Sequence, residues 1–143
     1  MKNSNENAKA LLIHISAFTG YLFPFGSIIT PLILWQSLKE RSFFLDQQGK
    51  EAVNFNISFA LYLFIISTTF FIPLFFGSFF NLFKNLNRID FGVNIIPDFS
   101  LFLGSISLIS VAYFIKIVLI ILAALKANEG EIYHYPLTIK FIK

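Results

Sequence analysis

One lysine stands in the middle of an apolar run, where an ionisable side chain is rare and costly. Lys116 lies within VAYFIKIVLI, and a charge at that depth of a membrane is by default a candidate functional site. Helical side chains lean toward the N-terminus of their helix, so its ammonium group is expected to point into the protein. We interpret Lys116 as a group that caps the tip of an N-terminal hairpin, where a break at Pro24 frees backbone carbonyls. The alternative is a lysine that faces a partner subunit or extends outward to the membrane surface.

Polar residues in two other helical stretches suggest weaker candidate sites. His14 lies in an apolar helix, where a lone histidine usually serves as a hydrogen-bonded structural residue, with proton transfer as the alternative. The stretch DQQGKEAVNFN is predicted to start a helix that Asp46 or Gln48 caps, with Glu51 in its first turn, which suits the helix dipole. Asn54 and Asn56 follow at the membrane boundary. We interpret them as capping and helix-packing residues, the alternative being a polar vestibule that contacts a partner or a substrate chain.

The composition excludes several kinds of chemistry. The sequence has no cysteine and only two histidines, which rules out disulfides and thiolate sites and nearly rules out a histidine metal cluster. It contains no nucleophile–base arrangement and no phosphate-binding glycine loop. We therefore predict no enzyme activity, no metal and no cofactor. The net charge of +3 is spread along the chain, so we expect no nucleic-acid binding.

The balance of apolar and charged residues indicates a membrane protein. Of the 143 residues, 56% are hydrophobic and 13% are charged, and the mean hydropathy is +0.72. Soluble domains carry about 25% charged residues. A chain of this size with half that share cannot cover its own core with polar surface, so lipid must cover the excess apolar surface.

Three apolar blocks organise the chain into one membrane domain, residues 1–143. We predict an all-α integral membrane protein with a broken, re-entrant N-terminal hairpin, two full transmembrane helices and an outer amphipathic segment. The segment 77–100 could instead be a loop folded against the bundle. The predicted boundaries are 10–38 for the hairpin, 53–76 and 101–127 for the transmembrane helices, 77–100 for the outer interfacial insertion and 128–143 for a cytoplasmic interfacial tail.

The first apolar block is broken in its middle. Pro24 removes a backbone donor and Gly26 permits a turn, so the block divides into two helices of about 12 residues, each about 18 Å long. The hydrocarbon core is about 30 Å thick, so neither half spans alone. A hairpin places eight lysines and arginines on one side against two, whereas a kinked span gives six against four. The positive-inside rule therefore favours a hairpin, with both termini cytoplasmic.

The C-terminal tail combines interfacial tyrosines with an alternating pattern. Tyr133 and Tyr135 match the preference of tyrosine for the membrane surface. Leu137, Ile139 and Phe141 alternate with polar residues, which is typical of an extended segment. We interpret the tail as lying at the cytoplasmic interface, the alternative being strand addition to a partner.

Three motifs together carry a resemblance to a known family: FPFGSIITPLILW, FLDQQGKEAVNFNIS and AALKANEGEIYHYPLTIKFIK. The chain resembles the Tic-twenty-like family, small bacterial membrane proteins of unknown function distantly similar to a chloroplast inner-envelope import subunit. The resemblance runs from His14 to the C-terminus, with 77–100 as an insertion. It implies a bacterial inner-membrane location and, by analogy only, a role near protein translocation.

These observations predict a non-enzymatic subunit or accessory factor of a membrane protein complex, near protein translocation or insertion. The expected partners are the lipid bilayer and other membrane proteins in a hetero-complex. The alternative is a small oligomeric transporter or channel, because broken helices often form ion and substrate sites.

Overall fold

The computed structural model describes residues 4–86 and 95–143. These ranges are helical apart from short turns and the last residues, and neither contains a β-strand. The all-α prediction is thereby confirmed. The elements are α1 (Ser4–Ile15), a 3₁₀ helix (Ser16–Tyr21), α2 (Gly26–Leu38), α3 (Phe43–Leu86) and α4 (Ile95–Glu129).

The chain divides into two compact units, and α3 and α4 each contribute residues to both. The first unit comprises Met1–Ala60 and Ile115–Lys143, and the second comprises Leu61–Phe114. The second unit presents large apolar side chains at its surface, among them Phe64, Phe75 and Phe114. Exposed apolar surface on this scale marks a face that meets lipid or another protein.

The core of the first unit is built from small residues that allow helices to approach closely. Ala10 and Ile13 of α1 pack with Ala52 of α3 and Ala127 of α4. A second buried cluster consists of Ala17, Phe55, Ile120, Ala123 and Tyr135. The C-terminal segment, defined here as residues 131–143, therefore enters the core through Tyr135.

The chain turns between the 3₁₀ helix and α2, where the sequence predicts a break. Phe25 adopts a left-handed backbone with φ of 62°, and α2 begins at the next residue. A Cβ on Gly26 would lie 2.5 Å from the Thr19 carbonyl oxygen, so glycine permits the close backbone approach. The Thr19 hydroxyl lies 2.9 Å from the Gly26 carbonyl oxygen and 2.8 Å from the Thr30 hydroxyl. Local hydrogen bonds thus close the turn.

The long helices differ from the predicted segments. α3 is a continuous helix of 44 residues with Pro73 inside it, about 66 Å long at about 1.5 Å per residue. Residues 77–86 of the predicted interfacial insertion continue this helix, 87–94 lie outside the described residues, and 95–100 begin α4. Within the described ranges, Phe43–Gly77 and Ile106–Glu129 are long and apolar enough to cross a membrane.

Candidate functional site

A chain of buried hydrogen bonds links α1, α3 and the C-terminal segment through His14. The His14 Nδ1 lies 2.9 Å from the Tyr135 hydroxyl, and its Nε2 lies 2.7 Å from the Gln48 Oε1. The Gln48 Nε2 donates to the Glu131 carbonyl oxygen at 2.7 Å. Both ring nitrogens of a fully buried histidine are therefore engaged within the protein.

The Glu131 carbonyl fixes the direction of every bond in this chain. A carbonyl can only accept, so it holds the Gln48 amide with its nitrogen toward Glu131 and its Oε1 toward His14. The His14 Nε2 must then carry the proton, and its Nδ1 accepts the hydroxyl proton of Tyr135. Burial lowers the pKa of His14 from 6.5 to about 4, although the Gln48 hydrogen bond and the Glu51 charge oppose this. The His14 ring is thus neutral at neutral pH.

Tyr135 is buried within the protein, and its place at the membrane interface stays a prediction. Its ring stacks on Phe55 with centroids 4.0 Å apart and planes 9° apart. Burial, with smaller effects of Tyr133 and Glu51, raises the pKa of its hydroxyl well above the ordinary value. The Tyr135 hydroxyl therefore serves as a hydrogen-bond donor that anchors the C-terminal segment.

Glu51 also binds the C-terminal segment, and its predicted place in the first turn of a helix is wrong. α3 begins at Phe43, so Glu51 lies in the third turn, too far from the helix start to interact with its dipole. Its carboxylate oxygen lies 2.8 Å from the Nδ1 of His134, whose side chain is 70% exposed. The prediction erred because the apolar FFL stretch that precedes Asp46 starts the helix earlier.

Asn54 and Ser58 hold the main chain of the C-terminal segment. The Asn54 Nδ2 donates to the Ile142 carbonyl at 2.9 Å, and its Oδ1 accepts from the Phe141 and Ile142 amides at 3.1 and 2.9 Å. The Ser58 hydroxyl accepts from the Ile139 amide at 2.8 Å. Because these bonds go to backbone groups, they fix the path of the segment whatever its side chains.

Asn56 points away from this contact, since it is two residues from both Asn54 and Ser58 on a helix. Its Nδ2 donates to the Ala52 carbonyl of the preceding turn at 2.8 Å. Its Oδ1 and the hydroxyl of Thr138 are buried with no hydrogen-bond partner in the described part of the chain. The structure therefore separates Asn56 from Asn54, which the sequence grouped together.

Lys116 is buried, with 5% of its surface exposed, in the first unit. Its Nζ lies 4.7 Å from the centroid of the Phe59 ring, a cation–π contact. The turn at Pro24 is closed by its own hydrogen bonds, such as those from the Leu22 and Phe23 amides to the Thr19 carbonyl. The described contacts thus give Lys116 an aromatic neighbour, and its capping of the hairpin stays a prediction.

A second polar contact joins α2 to α3. It was not predicted from the sequence. The Trp35 Nε1 donates to the Asp46 carboxylate at 2.9 Å, and Lys50 pairs with the same carboxylate at 2.6 Å. Gly49 allows this contact, because a Cβ there would lie 2.1 Å from the Trp35 Cδ1. The tryptophan therefore packs directly on the α3 backbone.

Sequence reasoning missed Ser58 and His134, and it interpreted Gln48 only as a helix cap, which is wrong because α3 begins at Phe43. Their helical spacing was a usable signal: Gln48, Glu51, Asn54 and Ser58 recur at intervals of three and four and so share one face of α3. Among residues 4–86 and 95–143, no group of three or more histidines and acidic residues is placed to hold a metal ion. What this face does in the structure is hold the C-terminal segment.

Comparison with known proteins gives one family. No curated protein and no solved structure matches the chain. A family model, described as the magnetosome magnetite crystal formation protein family, matches residues 5–142. The Tic-twenty-like resemblance is therefore wrong, because the family model that matches is a different one. The predicted role near protein translocation rested on that resemblance and is withdrawn with it. Because the match covers nearly all of its 143 residues, the chain belongs to the magnetosome magnetite crystal formation protein family.

Proposed function

We propose that this chain is a non-enzymatic integral membrane protein that supports magnetite crystal formation as an accessory factor in a membrane protein complex. The observation that carries the proposal is the family match over residues 5–142. The helices Phe43–Gly77 and Ile106–Glu129 support a membrane location by length and composition. The partners that we propose are other membrane proteins.

The geometry of the buried cluster supports a structural rather than a chemical role for its polar residues. His14 uses both ring nitrogens, Gln48 both ends of its amide, and Asn54 both of its polar atoms in contacts within the chain. These side chains stabilise the position of the C-terminal segment. The surface left for lipid and partner proteins is strongly apolar, as at Phe64 and Phe75.

Deleting the gene in a magnetite-forming host tests the function. We expect the deletion to change the size or number of magnetite crystals seen by electron microscopy, and the intact gene to restore them. As a matched pair, Gly77→Ala should restore crystals and Gly49→Ala should not, because only Gly49 faces a packed side chain. Crystals identical in the deletion and parent strains would contradict the proposal.

We further propose that residues 10–38 form a re-entrant hairpin with both ends on the cytoplasmic side of a bacterial inner membrane. Support comes from the turn, where Leu22 is 83% and Phe25 72% exposed, an apolar tip suited to hydrocarbon. The chain has no cysteine, so single cysteines at the exposed Asn5 and the half-buried Ser42 report topology cleanly. An impermeant thiol reagent is expected to label both from the same side. Labelling from opposite sides would replace the hairpin with a kinked span.

A further inference from the structure

The C-terminal segment is fastened to the first unit mainly by polar contacts, and one of them depends on a neutral histidine. Gly130, with φ of 80°, leads into the segment directly after α4. Gln48, Asn54 and Ser58 hold its main chain from α3, and His14 holds Tyr135 from α1. We propose that residues 131–143 form a latch that acid releases by protonating His14.

Protonation of His14 removes the acceptor on which Tyr135 depends. The neutral ring accepts the Tyr135 proton at Nδ1, whereas the imidazolium carries a proton on both nitrogens. Tyr135 would then have to turn its own proton away and accept from the ring instead. Its ring is buried against Phe55, so the hydroxyl cannot find water unless the ring moves out. When Tyr135 leaves the core, its hydroxyl gains access to water, and so does the Nδ1 side of the imidazolium.

Protonation of His14 is the main acid-sensitive event among the groups that surround it. From α3 it meets the neutral Gln48 and the charge of Glu51, and from the C-terminal segment the neutral Tyr135. The α4 residues in the neighbouring core clusters, Ile120, Ala123 and Ala127, are uncharged. The charge of Glu51 favours the imidazolium, but burial outweighs it.

A second histidine also holds the segment, but more weakly. The His134 Nδ1 lies 2.8 Å from a carboxylate oxygen of Glu51. The His134 side chain is 70% exposed, and exposed pairs change an equilibrium by at most about fivefold. The buried His14 therefore governs the response.

The direction and size of the effect follow from linkage. The docked state holds the pKa of His14 at about 4 against an ordinary 6.5, so it binds the proton less readily than the released state. The docking constant is then at its highest above about pH 6.5, and it falls by about tenfold per pH unit until the pH reaches about 4. The latch is closed at neutral pH and weakened by acid.

Spin-label distances on the full chain in nanodiscs test the latch. Cysteines at Leu137 in the segment, 85% exposed, and at Leu125 in α4, 55% exposed, carry the labels. The distance distribution is expected to be narrow at about pH 7.5 and broad at about pH 4.5. A control pair at Ser42 and Leu125 should keep its distance, which shows that the helices stay folded. An unchanged Leu137 distance at the lower pH would overturn the proposal.

The variant His14→Gln provides the matched comparison. Its amide can donate toward Gln48 and accept from Tyr135, and it does not titrate, so its segment should stay docked at both pH values. Equal broadening in this variant would overturn the proposal. If the segment of His14→Gln is already undocked at neutral pH, the test is made on the wild-type protein, by comparing release with the titration of the His14 ring. Release that follows the His14 ring-proton chemical shift supports the latch, and release that follows another group overturns it.

Discussion

Replacing Gly49 by alanine is expected to destabilise the first unit by about 3 kcal/mol or more. The new Cβ would lie 2.1 Å from the Trp35 Cδ1 and 2.6 Å from the Trp35 Cβ. The second distance matters most, because a Cβ moves only with its own backbone. The tryptophan is also held in place by its hydrogen bond to Asp46 and by burial. Helix propensity alone would predict the opposite sign, a gain of about 1 kcal/mol for alanine.

Gly77→Ala is the matched control, since it makes the same change in the same helix. A Cβ at Gly77 meets nothing within 4 Å, so this variant should be as stable as the wild type or slightly more stable. Thermal unfolding in detergent followed by circular dichroism measures both. We expect Gly49→Ala to lower the apparent melting temperature by about 10 °C or more. Equal melting temperatures for the two variants would contradict the packing of Trp35 on α3.

Replacing Asn54 by leucine should release the end of the C-terminal segment. Leucine has a similar size but offers no partner to the Phe141 amide, the Ile142 amide or the Ile142 carbonyl. Three hydrogen bonds worth about 1 kcal/mol each are lost, so we expect a cost of about 2–3 kcal/mol. The cost stays moderate because the freed backbone groups can detach and reach water.

Amide hydrogen exchange measures this release residue by residue. In Asn54→Leu the amides of Phe141 and Ile142, which donate to Asn54, should exchange about 30-fold to 100-fold faster, which corresponds to the expected loss of stability. Gln36→Leu makes the same chemical change at an exposed position of α2 and should leave these rates unchanged. Unaltered exchange at Phe141 and Ile142 in Asn54→Leu would show that Asn54 does not hold them.

Features set by local chemistry were accessible from the sequence. The break near Pro24 and Gly26 follows from backbone restrictions of those two residues, and α2 does begin at Gly26. The length of α3 was not accessible, because apolar content marks where a helix can lie in lipid and not where it ends. α3 accordingly begins ten residues before the predicted boundary at 53 and continues to Leu86.

Only one part of the candidate site, the polar face of α3, could be predicted from the sequence. The polar face of α3 can be recognised from the spacing of Gln48, Glu51 and Asn54, yet their partners lie 83 to 88 residues away in the chain. His14 and Tyr135 are 121 residues apart. No local pattern pairs such residues, so each was interpreted alone, as a cap, a boundary residue or an interfacial aromatic.

The buried polar residues of α1 and α3 hold the C-terminal segment in the folded protein. Hydrogen exchange of the wild-type chain in nanodiscs at neutral pH tests it most directly. We expect the amides of Ile139, Phe141 and Ile142, which donate to Ser58 and Asn54, to exchange at least about 100-fold more slowly than in an unfolded peptide. Exchange of these three amides at the unfolded rate would show that Ser58 and Asn54 do not hold the segment.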